Sequence, residues 1–239
     1  MSDGWNESAE AWIADQQNGG DFSRRYVLDA PMMERVRARK CTRALDVGCG
    51  EGRFCRMMQE AGVPIVGIDP TEALIAEARR LDPKGDYRIG RAEQLDFPDS
   101  SFDLAVCYLT LIDMPDLAAA IAEMTRVLAP GGRLLIANLT GLNTASTAPN
   151  GGWLREPNGE RRFCIDHYMD ERASWAEWHG IRIRNWHRPL SRYMQLLLGQ
   201  GLELRHFSEP ESTSGDPAKD DLHRRVPLFL IMEWEKPCA

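Results

Sequence analysis

Apolar positions along this chain follow two alternating rhythms. Between residues 43 and 139, short runs of consecutive apolar residues alternate with stretches whose apolar residues recur every three or four positions. These are the periods of buried strands and of amphipathic helices. The strand-like runs are 43–47, 63–68, 87–89, 102–108 and 133–139. The helix-like stretches are 53–61, 71–81 and 116–128, the last with Leu117, Ile121, Met124 and Leu128 on one face. Gly62 closes the first of these helices, and Pro98-Asp99-Ser100-Ser101 and Pro130-Gly131-Gly132 turn the chain into the last two strands. Strict alternation predicts a parallel sheet, covered by helices on both faces and joined by right-handed crossovers.

Either side of this stretch the pattern changes. Trp5, Ala9, Trp12 and Ile13 recur at helical spacing, Asn18-Gly19-Gly20 breaks the run, and Pro31 is placed to start a second helix. Residues 1–38 therefore read as an N-terminal helical cap. Residues 140–187 are rich in Gly, Asn, Arg and Trp, show no clean period, and read as a cap inserted within one domain spanning 1–239. A helix is predicted over 189–199 and late strands over 202–207 and 226–235, with the polar segment 208–221 between them as an exposed loop.

The chain has 239 residues, 43% hydrophobic and 27% charged, which suits a globular core. Its net charge of −7 is a poor basis for gripping a phosphate backbone. Six cysteines form no C-x-x-C pair and match no zinc spacing, so no metal is expected. No apolar leader opens the chain and no run approaches the length of a membrane span. A cytoplasmic protein with free thiols is the expectation, without membrane or nucleic-acid partners; the oligomeric state is open.

Chemistry concentrates where the first strand runs into Asp46-Val47-Gly48-Cys49-Gly50-Glu51-Gly52. Glycines there permit a tight turn and close approach of a ligand to the backbone, and the following helix N-terminus offers unpaired N–H groups. Asp69 ends the second strand, 21 residues after Gly48, a spacing that suits ribose hydroxyls. The glycine spacing is not the G-x-G-x-x-G of dinucleotide sites, and a carboxylate at Asp46 would repel a pyrophosphate while tolerating a sulfonium and an ammonium. On charge, the ligand looks like an amino-acid nucleoside.

The run Asp46-Val-Gly-Cys-Gly-Glu-Gly resembles the glycine motif of class I S-adenosylmethionine-dependent methyltransferases. Four further segments match in order: Asp69-Pro70 with the helix after it, Ala92-Glu93-Gln94-Leu95-Asp96-Phe97-Pro98, Ser101-Phe102-Asp103-Leu104-Ala105-Val106, and Glu123 through Leu134. The resemblance is close over residues 44–137. It implies a Rossmann-like, doubly wound α/β sheet of seven strands, mostly parallel with one antiparallel late strand, and S-adenosylmethionine as cofactor, S-adenosylhomocysteine as product. It also implies that Gly48, Cys49 and Gly50 wrap the methionine part, with Asp46 at the ammonium. Asp69 would hold the ribose, Pro70, Ala92 and Glu93 would border the adenine, and Cys107 would meet the adenine amino group through its backbone. Arg91 departs from the pattern, standing where family members often carry an acid. An arginine after the glycine break, assigned as Arg25, could meet the cofactor carboxylate.

Transfer from an activated sulfonium needs alignment above all, and a base only where the acceptor must lose a proton. The insertion, extended to 193, holds four of seven tryptophans and three of five histidines, and its eight arginines exceed its acids by two. Trp153, Tyr168 and Trp186 are assigned to the substrate, and His167 and His187 are candidate general bases. The expected reaction is methyl transfer to an O or N atom of a small organic molecule. Competing readings are a non-enzymatic S-adenosylmethionine-binding regulator or partner subunit, and an RNA methyltransferase. For the latter, Cys107-Tyr108-Leu109-Thr110 lacks the motif that holds a flipped base.

Overall fold

A computed structural model describes residues 3–17, 19–147 and 152–238. Asn18 of the glycine break and positions 148–151 of the insertion fall outside them.

The seven strands expected from the sequence form one sheet. They are β1 (Ala44–Val47), β2 (Ile65–Asp69), β3 (Asp86–Ile89), β4 (Phe102–Tyr108), β5 (Leu128–Leu139), β10 (Glu203–Ser208) and β11 (Phe229–Glu235). Their order is β10-β11-β5-β4-β1-β2-β3, and β11 alone runs antiparallel to its neighbours. Every residue of β1 and β2 is buried, as strands covered on both faces require. One face packs against α5 (Leu117–Val127) and α7 (Leu190–Gly199), with Trp234 fully buried. The other packs against α2 (Asp29–Arg37), α3 (Arg53–Glu60) and α4 (Glu72–Leu81). Chain order reverses between β1 and β4, which opens a crevice beyond their carboxyl ends.

Three local readings need correction. Pro31 does not start a helix: helical backbone continues from a π turn, Arg24–Leu28, into α2, and Pro31 lies inside it. The widened turn just upstream displaces the hydrogen-bond register that a proline would break. Residues 208–221 are not all loop, because α8 (Pro217–Arg225) begins there with Asp216 accepting from the backbone N–H of Ala218 and Lys219. The insertion is also more regular than it reads, with two hairpins: β6 (Trp153–Arg155) with β7 (Arg161–Phe163), and β8 (Arg172–Trp178) with β9 (Ile181–His187). The second turns on His179-Gly180, both at positive φ, where histidine stands in for the usual Asn or Asp.

This second hairpin lies on α1 (Trp5–Gln16). Ile181 and Ile183 bury against Ala9 and Trp12, and Leu74 of α4 completes the cluster. The N-terminal helix is thereby held between the hairpin and the sheet's crevice.

Candidate active site

Register places the first two strands so that the glycine turn and Asp69 meet. Val47 pairs with Ile68, and both Gly48 N–H and Cys49 N–H donate to the Ile68 carbonyl (2.8 and 2.9 Å). Gly50 N–H then reaches Asp69 Oδ2 at 3.0 Å, while Thr71 N–H donates to Oδ1 at 2.8 Å. The carboxylate is fixed, and each oxygen keeps a lone pair for a further donor. A side chain at Gly48 would need φ +79° and would strike Thr110, its Cβ coming within 2.5 Å of the methyl group.

Asp46 lies just beneath. It is 1% exposed, Cys55 Sγ–H donates to its Oδ2 at 3.3 Å, and Oδ1 has no partner. Burial pushes its carboxyl up to about 7, against the opposing hydrogen bond from Cys55, and the neighbouring Asp69 and Glu51 charges raise it further. A buried acceptor without a donor is costly unless a ligand supplies one.

Above the turn, Trp12 Nε1 donates to Glu51 Oε2 at 3.0 Å, and the Arg24 guanidinium stacks 4.8 Å from the Trp12 ring centre. Arg24 is also ion-paired with Asp21. Arg53 pairs with Asp29 and donates to the Gly19 carbonyl at 2.8 Å, and Tyr108 O–H donates to the same Asp29 at 2.8 Å. These ties fasten the N-terminal helices over the crevice.

A cavity of about 660 Å³ results. Asp46, Gly48, Cys49, Gly50, Asp69, Pro70, Ala92 and Glu93, all assigned to the cofactor from the sequence, line it. Arg91 also lines the cavity, and its exposed side chain pairs with Glu93 at 3.5 Å, so its charge is partly offset.

Other expected residues lie elsewhere. Arg25 is exposed and stacks on Tyr26, and its neighbour Arg24 takes the place on the cavity wall. Cys107 is wholly buried in β4, its thiol 2.8 Å from Thr110 Oγ1, and burial pushes it up to about 12. His167 is exposed and paired with Asp170. His187 is buried with both ring nitrogens engaged, Nδ1 with Thr144 Oγ1 at 2.7 Å and Nε2 with the Tyr168 carbonyl at 2.9 Å; burial lowers its basicity. Trp153 packs edge-on to Phe163 beneath Arg225, Tyr168 O–H accepts from Leu190 N–H, and Trp186 lies between Arg184 and Arg188. None of these seven lines the cavity.

The walls include residues that the sequence reading did not assign to the site: Trp12, Gln16, Tyr108, Asp113, Trp178, His179 and Asn185. Trp12 was visible as part of a helical stripe. Asp113 and Asn185 carried no sequence signal, because their meeting depends on how the second hairpin docks.

Residues 45–136 match the family model described as a methyltransferase domain. A structure of an S-adenosylmethionine-dependent methyltransferase from Mesorhizobium loti superimposes with TM-score 0.77 at 26% identity, covering 86% of this chain and 96% of that one. The chain thus carries, over residues 45–136, a region that matches a methyltransferase domain, and it shares the fold of an S-adenosylmethionine-dependent methyltransferase. Curated relatives include a malonyl-[acyl-carrier protein] O-methyltransferase from Serratia marcescens, 34% identical over 117 residues (49% of this chain, 45% of the relative). A demethylmenaquinone methyltransferase from Beutenbergia cavernae is 34% identical over 117 residues, 49% of this chain and 47% of the relative. The chain thus spans about half the length of the curated relatives it matches. S-adenosylmethionine is the cofactor that a domain of this kind implies, and the cavity suits it. The donorless Asp46 oxygen suits an ammonium, the Asp69 carboxylate suits a diol, and the glycine turn leaves room for nothing bulkier than backbone.

Proposed function

We propose that this protein transfers a methyl group from S-adenosylmethionine to an O or N atom of a small organic molecule. The observation that carries the reading is the cavity holding the donorless Asp46 Oδ1 and the fixed Asp69 carboxylate at the crevice where the strand order reverses. Bound there, the cofactor supplies a methyl group already activated on a sulfonium. Asp46 takes its ammonium and Asp69 its ribose hydroxyls. Gly48, Cys49 and Gly50 pass along the methionine part, and Pro70, Ala92 and Glu93 border the adenine. Arg24 faces the carboxylate end in place of Arg25.

The adenine-side segment is held from behind. Leu95 N–H donates to Glu123 Oε2 at 2.8 Å, and Arg126 donates to the Phe97 and Leu95 carbonyls while pairing with Glu123. Trp12, Trp178 and the β8–β9 hairpin exclude water from the remaining volume, where the acceptor lies. A concave cavity of about 660 Å³ with aromatic walls and a few polar groups favours a small molecule over a nucleic acid. No helix among the described residues is long and apolar enough to cross a membrane, and all six cysteines are free, which supports a cytoplasmic setting.

Calorimetry tests the cofactor: S-adenosylmethionine and S-adenosylhomocysteine bind and NAD does not. A screen of small-molecule cell extract with isotopically labelled methyl donor tests the reaction. Binding without any labelled product would favour a non-enzymatic regulator.

A further inference from the structure

We infer that Asp113, clamped by Asn185 of the inserted hairpin, accepts the proton that the methyl acceptor loses, so that the acceptor is an amine or a hydroxyl and not a carboxylate. The inference rests on the methyl-transfer reading above.

Asp113 lies on the loop after β4, on the wall of the cavity. That loop is built to stay in place. Arg188, 3% exposed, donates to the carbonyls of Leu111 (3.2 Å), Met114 (2.7 Å) and Pro115 (3.2 Å), and Trp186 N–H donates to the Ile112 carbonyl at 2.6 Å. Asn185 Nδ2–H donates to Asp113 Oδ1 at 2.5 Å. The second oxygen, Oδ2, has no hydrogen-bond or ion-pair partner among the described residues, and Asp113 lines the cavity. A carboxylate oriented through one oxygen and free at the other is arranged to receive a proton.

Charge around it points the same way. The groups whose fields reach Asp113 are Asp69 at the end of β2, Asp3 ahead of α1, and Arg24 of the π turn, which is already paired with Asp21. Burial, with the two acids, holds the carboxyl well above its ordinary range, and this strengthens it as a base. A carboxylate acceptor would face Asp113 and Asp3 and has no proton to give. The histidines compete poorly. His187 has both nitrogens engaged, His167 is off the cavity, and His179 sits at the rim, 76% exposed and turned to Asp15 at 2.8 Å.

In the reaction, the acceptor N or O forms a bond to the methyl carbon as the carbon–sulfur bond breaks, with that bond's electron pair passing to sulfur. The acceptor's N–H or O–H proton moves to Asp113 Oδ2 and leaves to water with product release.

The test uses the full chain and the variants Asp113→Asn, Asn185→Ala and His179→Ala. Labelled methyl donor is supplied with small-molecule cell extract, benzylamine, catechol and benzoate. Asp113→Asn should bind S-adenosylhomocysteine within threefold of wild type while kcat falls at least about 100-fold. The acid limb of the wild-type kcat profile should vanish with it. Asn185→Ala should move that limb to higher pH, because the lost hydrogen bond favoured the carboxylate. Carboxyl ¹³C titration of the S-adenosylhomocysteine-loaded protein needs no acceptor. It should show one aspartate, absent from Asp113→Asn, protonating above the ordinary range. Near-normal kcat in Asp113→Asn, loss of the limb in His179→Ala instead, a methyl ester as the product, or no such aspartate overturns the inference. No S-adenosylhomocysteine binding, or binding with no labelled product from any acceptor, removes the parent reading instead and this inference with it.

Discussion

Replacing Asp46 with Asn should stabilise the cofactor-free protein and weaken cofactor binding, and the first effect should grow with pH. The carboxyl is fully buried, its only hydrogen bond among the described residues comes from a thiol, and burial pushes its pKa up to about 7 from the ordinary 3.8. An acid with a raised folded-state pKa binds more protons when folded than when unfolded. Its contribution is therefore most favourable below 3.8 and is lost as pH rises towards 7. At about 1.4 kcal/mol per pH unit the charged form costs at most about 4 kcal/mol above pH 7, and about 1.4 kcal/mol of that arises between pH 6 and 8.5. For a chain of this size that increment corresponds to roughly 3–6 °C in Tm. Melting of the cofactor-free wild type and Asp46→Asn at pH 6 and 8.5 measures it, and calorimetry with S-adenosylhomocysteine measures the opposite effect, a loss of at least about tenfold in affinity if the ammonium pairs there. A variant less stable than wild type at pH 8.5, or a stability gap that does not widen with pH, would refute the account of Asp46 as an uncompensated buried charge.

Three further outcomes follow from the same geometry. Asp69→Ala removes the acceptor that Gly50 and Thr71 share and should weaken S-adenosylhomocysteine binding by about tenfold or more in calorimetry. Arg188→Met leaves three carbonyls without their donor, so urea denaturation should show a loss of about 3–5 kcal/mol. His187→Ala should lower Tm because it unpins β9 from Thr144 and Tyr168, whereas His167→Ala should change neither Tm nor turnover, since that ring is exposed and away from the cavity.

The meeting of the glycine turn with Asp69 was legible because it is local. A glycine turn, an acid at the end of the next strand and the register between two adjacent strands lie within 25 residues, and parallel pairing of β1 with β2 is enough to bring Gly50 onto Asp69. That Arg24 and not Arg25 lines the cavity has a reason of the same scale. Which of two neighbours faces inward depends on helical phase, and the π turn at Arg24–Leu28 shifts that phase by a residue relative to an α-helix. The hairpin β8–β9 was missed because its turn is His179-Gly180 and because Trp175, Trp178 and Trp186 mask the alternation that Ile181 and Ile183 supply.

The rest of the cavity resists a sequence reading for a deeper reason. Its walls come from α1, the loop after β4 and β9, which are far apart in the chain and touch only because buried side chains dock them. Tryptophans and histidines drew attention as residue types, yet Trp153, Trp186 and His187 hold the insertion together, and Asp113 and Asn185 face the cavity. Arg188 explains the division of labour. By donating to three carbonyls of the loop after β4 it fixes that loop to the end of β9, so the hairpin that closes the cavity also sets the position of Asp113. A change in the hairpin that leaves its packing on α1 intact should therefore alter acceptor choice while leaving cofactor affinity nearly untouched, since Asp46 is held by Cys55 of α3 and Asp69 by Gly50 and Thr71.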